Sequence, residues 1–140
     1  MLYLDSNALA KLYLDERTGR DQVLELLDLH EEVACCLIGY AEVAATIARY
    51  FHEGTLDDDA YRQAMNLFTQ DWESVRIQPV TPELTQVAAL LTRSQRGLRA
   101  MDALHLASAL ALRTQTPIQF LTFDQRLRDA AGRLMPDALA

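Results

Sequence analysis

The sequence predicts an α/β protein: a parallel sheet with helices packed on both of its faces. Short apolar runs of strand character recur along the 140 residues, and periodic amphipathic stretches separate each run from the next. No internal repeat, linker or low-complexity segment interrupts the alternation. A chain of this length hides roughly two-thirds of its unfolded surface, so residues 1–140 are expected to form a single domain.

The elements follow in order. LYLD predicts a short buried strand ending at Asp5, and SNALAKLYL a helix with Ser6 or Asn7 available as its cap. A second helix is expected through DQVLELLDLHE. VACC reads as a strand, and GYAEVAATIARYFHEG as a helix that Gly54 stops in a left-handed conformation. DDDAYRQAMNLFTQDW sets Tyr61, Ala64, Phe68 and Trp72 on one face behind an acidic first turn that matches the helix dipole. VRIQPV is a strand. Thr81 then caps a helix that begins at Pro82, with a buried stripe of Leu84, Val87, Ala88 and Leu91. A helix is expected from about Asp102 within RAMDALHLASALAL, a strand in IQFLT after Pro117, and a last helix from Asp124 through Arg133.

Composition narrows the function. No apolar run approaches the roughly 20 residues of a membrane span, and no basic, cleavable leader precedes LYLD, so a cytoplasmic protein with no membrane association is expected. Cys35 and Cys36 are adjacent, and strand alternation points them to opposite faces as core thiols without disulfide or zinc spacing. The net charge of −7 argues against a nucleic-acid partner until its distribution is considered. Seven arginines against three aspartates between Arg93 and Arg133 leave that stretch at +4 and the rest of the chain at −11. Arg93, Arg96 and Arg99, leading into the Asp102 helix, are the candidate phosphate contacts.

Sites in open parallel sheets form at the carboxyl ends of the strands. Asp5 closes the first predicted strand, Asp124 follows FLTF, Asp102 opens a helix, and Glu42 lies one turn into the apolar IGYAEVAATIA. Each has an ordinary explanation, since Asp is a favoured cap and Glu42 can point to water from a helix edge. His105 reads as a packing or hydrogen-bonding residue. Taken together, however, the four acids fall where one end of the sheet would collect them. Several carboxylates in a partly buried site need a compensating cation. An all-oxygen set favours Mg²⁺ or Mn²⁺ over zinc, and the matching chemistry is phosphoryl transfer to water.

LYLDSNALAKLY, GYAEVAATIARY, RAMDALHLASALAL and FLTFDQRL, in this order and at these separations, resemble the PIN-domain ribonucleases, in particular the VapC-type toxins of toxin–antitoxin pairs. The resemblance covers essentially the whole chain. It implies a three-layer α/β/α sandwich and metal-dependent endonuclease activity on RNA, leaving a 5′-phosphate and a 3′-hydroxyl. It makes Asp5, Glu42 and Asp102 a core acidic triad of metal ligands and Asp124 the fourth acid, with Ser6, Thr122 and His105 in support. Mg²⁺ or Mn²⁺, an RNA substrate, a cognate antitoxin and a homodimer are the cofactors and partners it implies. Two other readings compete. A phosphatase with Asp5 as nucleophile expects a second aspartate two residues on, where this chain has Asn7. A catalytically silent PIN-fold module that binds RNA or a protein partner is separated from the nuclease only by an assay in metal.

Overall fold

A computed structural model describes residues 1–14 and 17–140. Four short strands, β1 (Leu2–Leu4), β2 (Val33–Cys36), β3 (Arg76–Gln78) and β4 (Gln119–Leu121), pair in parallel in the order β3-β2-β1-β4. Parallel neighbours cannot be joined by a tight turn, so the connections carry helices. Among the described residues these are α1 (Ser6–Ala10), α2 (Arg17–Asp28), α3 (Gly39–His52), α4 (Asp58–Trp72), α5 (Pro82–Ser94), α6 (Ala100–Arg113) and α7 (Gln125–Leu134).

Strand alternation builds the three layers. Tyr3, Ala34 and Phe120 turn to one face, where they join Leu84, Leu106 and Leu127 of α5, α6 and α7. Leu2, Leu4, Cys35 and Leu121 turn to the other and meet Leu9, Val43, Ile47 and Phe68 of α1, α3 and α4. The register agrees, since Tyr3 lies opposite both Ala34 and Phe120, and Leu4 opposite Leu121. Burying each such large apolar side chain contributes about 1.5–3 kcal/mol, so the sheet is fixed from both sides. Cys35 and Cys36 are free thiols, both buried. No helix among the described residues is long and apolar enough to cross a membrane.

The α/β architecture with a central parallel sheet agrees with the sequence, while several boundaries move. α1 is capped by Asp5, whose side chain accepts from the Ala8 N–H, and neither Ser6 nor Asn7 serves as the cap. It ends at Ala10, and Lys11, Leu12 and Tyr13 continue as turns bonded three residues back. α2 stops at Asp28, short of the predicted Glu31. α6 starts at Ala100, so Asp102 is its third residue and not its cap. In α5, Leu84, Ala88 and Leu91 are buried as expected, but Val87 is exposed at the edge of the stripe. Gly54 has φ +77 just beyond α3, the left-handed position predicted for it.

One connection fixes the working end of the sheet. Chain order runs from β1 to β2 on one side and later to β4 on the other, and such a reversal opens a crevice outside the carboxyl ends. Gly39 begins α3 against β2, where any Cβ would collide with Cys35 Sγ and sit 3.7 Å from His105 Cε1. A glycine there lets α3 press close enough to carry Glu42 over the crevice.

Candidate active site

Asp5 leaves β1 at the reversal and is 3% exposed. Its Oδ1 accepts from the Ala8 N–H at 2.8 Å, and its Oδ2 accepts from the Thr122 hydroxyl at 2.6 Å. Thr122 stands just past β4, so this bond ties the two strands across the crevice. The same Thr122 oxygen accepts the Asp124 N–H at 3.1 Å, and Asp124 Oδ1 caps α7 by accepting from Arg126 N at 2.8 Å and Leu127 N at 3.0 Å. One hydroxyl thus holds two of the four acids in register.

A second chain of bonds holds Glu42. His105 lies one turn beyond Asp102 on α6 and is 2% exposed. Its Nε2 is 2.7 Å from Glu42 Oε2, and its Nδ1 is 3.0 Å from the Tyr3 hydroxyl. A carboxylate only accepts, so Nε2 carries the hydrogen donated to Glu42. Burial, and after it the neighbouring Cys35 and Cys36, push the Tyr3 phenol well above its ordinary value, so its hydroxyl stays a neutral partner for Nδ1. The ring is thereby fixed in orientation from a strand at the centre of the fold.

Electrostatics join these groups. Burial pushes the Asp5 carboxyl above its ordinary value, and the Glu42 charge pushes the same way, while the Thr122 hydroxyl, the His105 ring and the Ala8 N–H oppose them. Asp102 is raised by partial burial, then by the charge of Asp124, and also by Glu42, against the Arg99 N–H and the Arg99 charge. Its Oδ2 accepts from the Arg99 N–H at a long 3.4 Å. Glu42 acts on both Asp5 and Asp102, and Asp124 acts on Asp102, so the four acids share one field at one end of the sheet.

The remaining candidates divide. Ser6 lines a cleft that shares Glu42 as a wall. Arg99 opens α6 beside Asp102, whereas Arg93 and Arg96 are exposed without a bond to the acids. Tyr3 is a site residue that sequence reasoning passed over. Its signal was a hydroxyl in the middle of a buried apolar strand, where a phenol needs a polar partner.

The donor set can be matched to a metal. Among the described residues, no three His, Cys, Asp or Glu side chains form a group that could by itself hold a metal ion. A closed zinc site needs such a group. Mg²⁺ does not, because it is held by one or two carboxylates with waters and substrate oxygens completing its shell. Oxygen donors that desolvation and like charge leave short of positive charge fit that hard cation.

Comparison with known proteins bears on the family and the fold. A PIN domain model matches residues 2–133. Ribonuclease VapC45 of Mycobacterium tuberculosis strain CDC 1551 is 30% identical over 131 residues, covering 94% of this chain and 89% of that protein. Ribonuclease VapC47 of the same strain is 28% identical over 130 residues, covering 91% and 87%. Among solved structures, a toxin-antitoxin complex from Klebsiella pneumoniae aligns over 100% of this chain and 96% of that one, with a TM-score of 0.70 and 19% identity. Mycobacterium tuberculosis VapC20, a sarcin-ricin loop cleaving toxin, aligns over 93% and 95% with a TM-score of 0.66 and 18% identity.

Proposed function

The chain belongs to the PIN-domain family, within its VapC branch, and from that premise we propose that it is a metal-dependent endoribonuclease and the toxin of a toxin–antitoxin pair. The observation that carries the reading is the gathering of Asp5, Glu42, Asp102 and Asp124 in one electrostatic field at the sheet reversal. Asp5 and Asp102 would be the principal holders of Mg²⁺ or Mn²⁺, with Glu42 and Asp124 engaged directly or through water. When bound, such a cation compensates the crowded carboxylates, acidifies a water and offsets charge on the phosphoryl oxygens.

The chain's own residues do the rest. Thr122 and the Ala8 N–H pin both oxygens of Asp5 and leave each with a further lone pair. His105 holds Glu42 through Oε2, so Oε1 stays outside that bond and can accept from a water. Arg99 brings a positive charge beside Asp102. Water attacks phosphorus and the 3′ oxygen leaves, giving a 5′-phosphate and a 3′-hydroxyl without a covalent enzyme intermediate. The chain acts in the cytoplasm as a homodimer. Its antitoxin offers an arginine or lysine that compensates the acids in place of metal.

The test is cleavage of single-stranded and loop RNA by the purified chain in Mg²⁺ or Mn²⁺ and in EDTA. Cleavage in metal alone is expected, and Asp5→Asn and Asp102→Asn should each lose at least about two orders of magnitude in rate. Cleavage that survives exhaustive chelation overturns the metal mechanism. RNA binding without cleavage in any metal returns the chain to the silent-module reading.

A further inference from the structure

The turn that joins two of the acids is gripped by a side chain the mechanism does not use. β4 ends at Leu121, and the alternation of the strand carries on past it. The Phe123 ring accordingly packs with Leu121 in the layer of α1 and α3, while the Thr122 hydroxyl between them reaches Asp5. The edge of that ring meets Gly19, whose φ of +88° interrupts the helical run at the start of α2 together with Thr18. A Cβ at Gly19 would stand 2.7 Å from Phe123 Cζ and 2.8 Å from Cε1, against the about 3.5–4.0 Å at which carbon atoms rest. Only a bare backbone seats the ring there. Lys11 Nζ, from the turn after α1, lies 5.7 Å from the centre of the same ring, within cation–π reach.

The seat matters because of what Phe123 is joined to. Thr122 before it donates to Asp5 Oδ2 at 2.6 Å and accepts from the Asp124 N–H at 3.1 Å, and Asp124 after it caps α7. Three consecutive residues therefore hold the link to one acid, an anchored ring and a second acid. Hydrogen bonds weaken steeply once they stretch or tilt, so a shift of the ring that drags the turn is felt at both carboxylates. Partners one step removed from metal-holding side chains typically change affinity or rate by about 10–100-fold when they are lost. A ring that merely filled space would lower the melting temperature and leave the acids alone.

We infer, resting on the ribonuclease reading, that Phe123 is a positioning residue of the acidic site: seated on the bare backbone of Gly19, its ring sets the turn through which Thr122 and Asp124 address Asp5. The start of α2 is thereby coupled to the acids. Whatever displaces Gly19 displaces the ring, and with it the turn.

The experiment compares the full chain with Gly19→Ala, Gly54→Ala, Phe123→Leu and the double variant of Gly19→Ala with Phe123→Leu. Each is followed by Mn²⁺ calorimetry, by steady-state cleavage of single-stranded RNA in Mn²⁺, and by hydrogen exchange of the Asp124 amide in EDTA. Gly54 is the control, because its φ of +77° brings similar backbone strain when a Cβ is added, yet nothing lies within 4 Å of that Cβ. Gly19→Ala should lower kcat about tenfold with KM nearly unchanged, weaken Mn²⁺ several-fold and quicken Asp124 exchange. Gly54→Ala should do none of these. Phe123→Leu removes the ring edge and should lower kcat to a smaller extent, again at constant KM. In the double variant the added methyl fills the space that the ring edge left, so most of the kcat lost in Gly19→Ala should return. If Gly19→Ala does not fold, Phe123→Leu carries the test, and wild-type kcat and Mn²⁺ affinity in it overturn the inference. So does a Gly19→Ala chain that behaves like Gly54→Ala, or a double variant no better than Gly19→Ala, which would put the loss on backbone strain alone. A wild-type chain that neither binds Mn²⁺ nor cleaves RNA strikes at the ribonuclease reading, while Asp124 exchange in EDTA still reads whether the ring sets the turn.

Discussion

Thr122→Val is the sharpest single perturbation of the site, because one hydroxyl serves two acids. Thr122 is 1% exposed, so the substitution keeps the buried shape and removes only the hydroxyl's bonds. It deletes the 2.6 Å bond to Asp5 Oδ2 and the acceptor of the Asp124 N–H at 3.1 Å. A hydrogen bond to a charged group contributes about 1.5–3 kcal/mol, and an orphaned donor costs about 1 more. The loss is then about 3 kcal/mol, and with an unfolding entropy of about 2.1 cal/mol/K per residue it lowers the Tm by about 10 °C. pH supplies the second readout. Burial already raises Asp5, and the Thr122 hydroxyl is the strongest influence opposing it, so the variant's Asp5 rises further. A folded value above the unfolded one means that this group's contribution is fully present below the ordinary 3.8 and is lost as pH rises through the folded value. The stability deficit of Thr122→Val therefore widens with rising pH. Metal needs the carboxylate, so the acid limb of Mn²⁺ binding and of cleavage moves to higher pH. Thermal melts in EDTA from pH 4 to 8 and Mn²⁺ calorimetry at each pH make the measurement, with Thr122→Ser expected to restore most of both. A Thr122→Val protein with the wild-type melt and acid limb refutes the assignment of Thr122 as the link between the acids.

Four further outcomes are expected. Asp102→Asn should melt higher than wild type in EDTA, by a margin that opens as pH rises above the ordinary carboxylate range, and should gain less from Mn²⁺; identical melts in both conditions would make Asp102 a purely local helix residue. Replacing Arg93, Arg96 and Arg99 together with Gln should flatten the salt dependence of RNA binding by roughly two units of log–log slope, and an unchanged slope would remove them from the RNA path. Tyr3→Phe keeps the ring stacked at 5.4 Å on Phe120 but strands His105 Nδ1, so it should cost about 1–3 kcal/mol and lower kcat at constant KM. A Tyr3→Phe enzyme with full kcat would show that Glu42 needs no such support. Asp124→Asn keeps an oxygen for the α7 cap, so it should melt within a degree or two of wild type in EDTA yet cleave poorly, and full cleavage would confine Asp124 to capping.

The layered fold was legible because its strands are short, apolar and separated by periodic helices, and because cues such as Thr81-Pro82 and Gly54 act locally. The boundary errors share one cause. Asp5 took the cap expected of Ser6 or Asn7, and α6 began two residues ahead of Asp102, because a cap is decided by where the preceding strand or loop delivers the chain. Of the site, the four acids were legible as residues at strand and helix ends. The links between them were not. Tyr3 and His105 are 102 positions apart, and His105 and Glu42 are 63 apart, so no local pattern records either bond.

The ordinary explanation for these aspartates, that they cap helices, is true of Asp5 and Asp124, and it does not compete with the functional one. In a parallel sheet whose crossovers are helical, a helix that follows a strand starts at the strand's carboxyl end, where the crevice also opens. A capping aspartate is thus delivered to the site by the same geometry that makes it a cap. The cap also prepares the carboxylate. Oδ1 of Asp124 takes two N–H groups and fixes the plane of the group, leaving Oδ2 to face other partners. The partial positive charge of a helix N-terminus, about half a unit, offsets part of the repulsion that the four acids impose on one another before any cation arrives. Asp102, at the third position of α6 with one long bond to the Arg99 N–H, has the least of this support and lies nearest an arginine. Under the proposed metal site, Asp5 is the carboxylate fixed by strand, cap and hydroxyl, and Asp102 would be the ligand freest to respond to the cation.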